Sequence, residues 1–94
     1  MTTKEINQLL YTLTETIDRG HFSVPEFKDV VDQIILQNTT GHVRSRIYRN
    51  EKRLFRPQQY TVELHIFKDE DAYIVRKLMF KELKHVIVPV QPNE

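Results

Sequence analysis

The 94-residue chain has no cysteine, no tryptophan, a single alanine and only two glycines, Gly20 and Gly41. Each shortage removes a class of chemistry or architecture. Without cysteine there is no disulfide framework, no thiolate metal site and no thiol nucleophile. Two isolated glycines cannot form a glycine-rich loop around a nucleotide phosphate. One alanine beside 17 valines and isoleucines argues against an all-helical bundle, because β-branched side chains lose rotamer freedom in helices. The only serines are Ser23, which reads as a helix cap, and Ser45, and neither sits in a nucleophile elbow. His21, His42, His65 and His85 are spread along the chain without the close pairs that mark a metal site, although Glu63 and His65 share one face of a strand. The longest apolar runs, such as residues 86–90, fall far short of the roughly 20 residues of a membrane span. The first residues, Met-Thr-Thr-Lys-Glu-Ile, lack the apolar segment of a signal peptide. These absences lead to the expectation of a cytoplasmic protein with no membrane partner, no cofactor, no metal and no catalytic activity.

What is present is enough to fold. Leu, Ile, Val and Phe supply 30 of the 94 residues, about a third of the chain, and the length fits one domain over residues 1–94. Thr2 and Glu5 have the spacing of a capping box, and behind them Ile6, Leu9, Leu10, Leu13 and Ile17 form one helical stripe that Gly20 closes. Ser23, Pro25 and Glu26 mark a second helix start, with Phe22 and Phe27 at the positions of a hydrophobic staple. Phe27, Val30, Val31, Ile34 and Ile35 form its buried stripe, so residues 1–38 read as an antiparallel helical hairpin.

Beyond residue 41 the period changes to two. Val43, Ser45 and Ile47 alternate with Arg44, Arg46 and Tyr48, which predicts a strand with two arginines and an aromatic ring on one face. Residues 49–52 read as a turn, Leu54 and Phe55 as a short return strand before Pro57, and residues 60–67 as the clearest strand of the chain. Residues 69–83 allow two readings. Acids at the start and bases at the end suit a helix dipole, whereas the β-branched and aromatic content suits a hairpin turning at 68–71. The helix is preferred, which makes the unit from 60 to 90 a right-handed crossover between parallel strands. Residues 85–90 read as a buried strand near an edge, because Pro89 cannot donate to a ladder, and 91–94 as a frayed tail. The expected fold class is α+β: a helix pair, then residues 42–90 as a three- or four-stranded sheet with one further helix, in the order α-α-β-β-β-α-β. A helix over 69–83 would carry more apolar surface than a small sheet hides, which predicts a homodimer through it.

Charge is the one uneven feature. The net +1 is a cancellation of −3 over residues 1–41, +5 over 42–58 and −1 over 59–94. Arg44, Arg46, Tyr48, Arg49, Lys52, Arg53, Phe55 and Arg56 combine guanidinium forks for phosphate oxygens with rings on which bases can stack. The expected function is therefore a small non-catalytic binding protein that holds RNA or DNA through a basic ribbon over residues 42–56. The alternative is a protein-interaction module or inhibitor that sets the same ribbon against an acidic protein surface. A third outcome is that the arginines are spent on the acids of the two helices, or simply solvated on a strand. A helix-turn-helix reading fails on charge, since the outward residues of the second helix include Glu26, Asp29 and Asp32. The alanine-poor, asparagine- and threonine-rich composition suits a phage or mobile element.

Overall fold

The start of the chain is a capping box in fact as well as in spacing: the Glu5 amide donates to Thr2 Oγ1 at 3.2 Å and the Thr2 amide to Glu5 Oε1 at 3.2 Å. The computed structural model describes residues 1–39, 42–67 and 72–90. Helix α1 runs Thr3–Gly20 and buries Ile6, Leu9, Leu13 and Ile17 along the predicted stripe. Its left-handed end residue is His21 (φ 52°) rather than Gly20. Gly20 is needed for room, because a β-carbon there would lie 2.0 Å from the Phe22 ring. Helix α2 runs Val24–Asn38, with the Glu26 carboxylate accepting from both the amide and the hydroxyl of Ser23 at 2.8 Å. At its far end Asn38 Nδ2 and the Thr39 hydroxyl donate to the carbonyls of Ile34 and Ile35, satisfying acceptors that the helix leaves open.

Four strands follow: β1 Val43–Arg49, β2 Gln59–Phe67, β3 Tyr73–Leu83 and β4 Val86–Pro89. They form one sheet in the order β1-β2-β3-β4, each pair antiparallel. The expected α+β class holds, with both helices and the four-stranded sheet sharing one core. Val43, Tyr60, Val62, Leu64, Ile66, Phe80 and Ile87 of the sheet meet the apolar stripes of α1 and α2 there. Phe27 is fully buried, its ring 5.1 Å from Phe80 and 6.4 Å from Tyr60 between centroids. The chain between the helices is tied to the last strand by a 2.8 Å bond from the Ile87 amide to the Phe22 carbonyl.

Three expectations are corrected. The helix over 69–83 is instead strand β3 from Tyr73 onward, and the order is α-α-β-β-β-β; the turn expected at 68–71 and the frayed tail at 91–94 lie outside the described residues. The apolar residues at 74, 75, 78, 79 and 83 do fall at three- and four-residue steps, but pairing on both sides decides otherwise. Phe80 pairs with Tyr60 and Pro89, so the strand is locked between two neighbours. The stripe that predicted a homodimer is thus divided between two sheet faces. Second, there is no parallel crossover, because β3 lies between β2 and β4 and runs antiparallel to both. Third, Leu54 and Phe55 form no strand. They sit in a turn at the tip of the β1–β2 connection, and Phe55 has φ 61°, a left-handed conformation that breaks any ladder. Among the described residues no helix is long and apolar enough to cross a membrane.

Candidate nucleic-acid interface

Alternation sends every second side chain of the sheet away from the helices. Arg44, Arg46 and Tyr48 leave β1 on that side, opposite His65, Glu63 and Thr61 of β2, which in turn lie opposite Val75, Lys77 and Met79 of β3. Gln59, Phe67, Tyr73, Lys81 and Leu83 lie on the same face with Val86 and Val88 of β4, and no described element covers it. Its apolar members are correspondingly open: Tyr73 is 54% exposed, and Phe67, Val75, Met79 and Leu83 are also exposed. The guanidinium of Arg46 sits over the Tyr48 ring, 5.3 Å from its centroid, which is within range of a cation–π contact.

One carboxylate stands among these cations. Glu63 Oε1 is 2.6 Å from His65 Nε2, and its Oε2 is 3.8 Å from Lys77 Nζ. The hydrogen bond with His65 holds the Glu63 carboxyl below the usual glutamate range against the opposing effect of partial burial, and the charges of Lys77 and Arg46 add to the pull. An ionised carboxylate only accepts, so Nε2 of His65 carries the proton, and in the neutral ring Nδ1 accepts from the Tyr73 hydroxyl. Glu63, His65 and Tyr73 therefore form one hydrogen-bonded row across β2 and β3 that fixes the Tyr73 ring in place.

The connection between β1 and β2 closes one end of the face. The Gln58 side-chain amide donates to the carbonyls of Asn50 and Gln59, and the Thr61 hydroxyl donates to Asn50 Oδ1 at 2.8 Å. Between this connection and the sheet lies a cleft of about 380 Å³ whose walls include Glu51, Arg53, Arg56, Gln59 and Met79. Gln59 and Met79 belong to the open face, so the cleft continues it.

The eight residues singled out from the sequence are thus only partly brought together. Arg44, Arg46 and Tyr48 share the open face, and Arg53 and Arg56 line the cleft at its end. Arg49 has the opposite parity and lies on the helix side, in a smaller hollow with Val24, Lys28 and Tyr60. Lys52 is turned inward, its Nζ donating to the carbonyls of Arg53 and Arg56, which gives it a loop-holding part. Phe55 is 95% exposed at the loop tip, with Leu54 beside it. Among the described residues none of the five arginines pairs with a carboxylate, and Asp32 of α2 instead accepts from the Ser45 hydroxyl at 3.2 Å. Sequence reasoning missed Tyr73, Lys77 and Met79, because reading residues 69–83 as a helix took β3 out of the sheet, and it placed Phe67 on a strand without assigning it to the site. The signal available was the β-branched and aromatic content of residues 72–80, which supported the hairpin alternative. Among the described residues no three His, Cys, Asp or Glu side chains gather as metal ligands. Comparison with known proteins gives no matching family model, no matching curated protein and no matching solved structure.

Proposed function

We propose that this protein is a non-catalytic binding protein that holds single-stranded RNA or DNA across the open face of its sheet. The observation that carries the reading is the face that no described element covers, where Arg44, Arg46 and Lys77 lie between Tyr48 at one end and the paired Phe67 and Tyr73 at the other, with Glu63 as the one acid of the described strands on that side. Cations track a phosphate backbone while rings accept bases by stacking, and this pairing is indifferent to sequence. A single strand fits better than a duplex, because the rings stand on the face of a sheet, where only unpaired bases can stack on them. The cleft beside Arg53 and Arg56 extends the path at one end. Phosphate contacts dominate over base readout on this reading.

The test is anisotropy of short labelled RNA and DNA strands at two salt concentrations, with an Arg44→Ala/Arg46→Ala/Arg53→Ala variant beside the wild type. Each lost phosphate contact lowers the slope of log K against log salt by about 0.7, so the triple variant loses about 2 of slope. No affinity at low salt, or affinity untouched by the triple change, would sink the proposal. A second reading, docking to an acidic protein surface, draws on one observation: Leu54 and Phe55 project between Arg53 and Arg56 as an exposed apolar tip. A stoichiometric protein partner lost on Leu54→Ser/Phe55→Ser substitution would favour it.

A further inference from the structure

Strand β3 has eleven residues but β4 has only four, and their pairing covers Phe80–Leu83. The direction of the backbone groups along β3 follows from two bonds. The Glu82 amide donates to the Gln58 carbonyl, so even-numbered residues of β3 turn their backbone toward β2. The Val90 amide donates to the Met79 carbonyl, so odd-numbered residues turn theirs toward β4. Among the described residues β4 ends there. Among the described residues, the N–H and C=O groups of Tyr73, Val75 and Lys77 consequently form an open edge, met only by the Arg76 guanidinium at 3.4 Å from the Val75 carbonyl.

We infer that this edge pairs with the same edge of a second copy of the chain, antiparallel and centred on Val75. Charge and the extent of the described edge together select this register. Pairing about Val75 sets Tyr73 opposite the partner's Lys77 and Ile74 opposite the partner's Arg76, so each cation meets an aromatic or apolar residue. Pairing about Arg76 or Lys77 sets like charges directly opposite, and pairing about Lys77 also requires the edge at Met79, whose carbonyl Val90 already holds. The Val75 register uses the whole described edge and stops short of Met79. It forms three hydrogen-bonded residue pairs, about six new bonds. The exposed rings and aliphatic groups of Tyr73 and Val75 gain cross-strand neighbours, which an edge of this kind otherwise leaves in water. The two open faces then join in one eight-stranded sheet. The inference does not depend on what that face binds.

The absence of cysteine from the chain gives a register-specific test. Residues facing each other in a hydrogen-bonded antiparallel pair have Cα atoms about 5.5 Å apart, inside the roughly 4.4–6.8 Å that a disulfide spans. Val75 is exposed, so the Val75→Cys variant keeps its core and should cross-link to a dimer under mild oxidation. Lys77→Cys places its thiols four residues out of register and should stay uncross-linked under the same conditions. Sedimentation of the wild type at several hundred micromolar should show dimer. A monomeric wild type at that concentration, or equal cross-linking at positions 75 and 77, overturns the inference.

Discussion

The two-residue turn between β3 and β4 holds Lys84 at φ 51° and His85 at φ 70°, both in the left-handed region. That is the pattern of a tight hairpin turn, for which Asn-Gly is the favoured pair, and neither lysine nor histidine is suited to it. An L-residue held left-handed costs about 1–2 kcal/mol. Glycine at 85 removes most of this but gives back about 0.5–1 kcal/mol in chain entropy. The net gain from His85→Gly is then about 0.5–1 kcal/mol, and Lys84→Asn brings the pair to about 1–2 kcal/mol. In a domain of this size each kcal/mol moves Tm by about 4–8 °C, so the double variant should melt about 5–15 °C higher. Urea titration and thermal melting followed by circular dichroism read this directly. A double variant no more stable than the wild type would refute the strain argument. Binding on the open face should be unaltered, since both residues lie beyond its end.

Further outcomes follow from the same geometry. Phe27→Ala removes a fully buried ring between Tyr60 and Phe80 and should cost about 3–5 kcal/mol in urea unfolding, a large share of a small domain's stability. Tyr73→Ala should leave the fold intact but weaken single-strand affinity by about 1–3 kcal/mol, the contribution of one stacked base, as measured by anisotropy. Glu63→Gln removes the one carboxylate beside Arg46 and Lys77 and should tighten oligonucleotide binding at low salt, an effect that fades as salt rises. The same residue shapes acid stability. The carboxyls of Glu5 and Glu26, through their bonds with the backbone amides of Thr2 and Ser23, and that of Glu63, through His65, are all held below the ordinary value of 4.5. A carboxyl whose folded pKa is depressed stabilises the protein above its unfolded pKa, and that contribution is lost as pH falls through the lower folded value. Unfolding free energy should therefore decline as pH drops below about 4.5, and Glu63→Gln should make the decline shallower.

The helices were legible because local chemistry and tertiary burial agree: the carboxylates of Glu5 and Glu26 close the helix starts, and both stripes end in the core. Strands β1 and β2 were legible for the same reason, their inward sets Val43, Ile47 and Tyr60 to Ile66 being apolar on one parity only. Residues 73–83 were not, because β3 is apolar on both parities. One side meets the helices at Phe80, the other carries Tyr73, Val75 and Met79 into the open, and a chain apolar on both sides satisfies helical spacing by accident. Its end was hidden too, since Lys84-His85 is a tight turn without the glycine, asparagine or aspartate that announces one. The candidate site suffered from the same gap. The six bases of residues 42–58 were visible, but not that Lys52 folds onto its own loop, that Arg49 faces the helices, or that Tyr73 and Lys77 share the open face with Arg46.

The most direct test of the central claim is a nuclear magnetic resonance titration of the isotope-labelled protein with a short single-stranded oligonucleotide at low salt. Resonances of Arg44, Arg46, Tyr48, His65, Tyr73 and Lys77 should shift together, with those of α1 and α2 unmoved. No shifts, or shifts confined to the helices, would contradict the account.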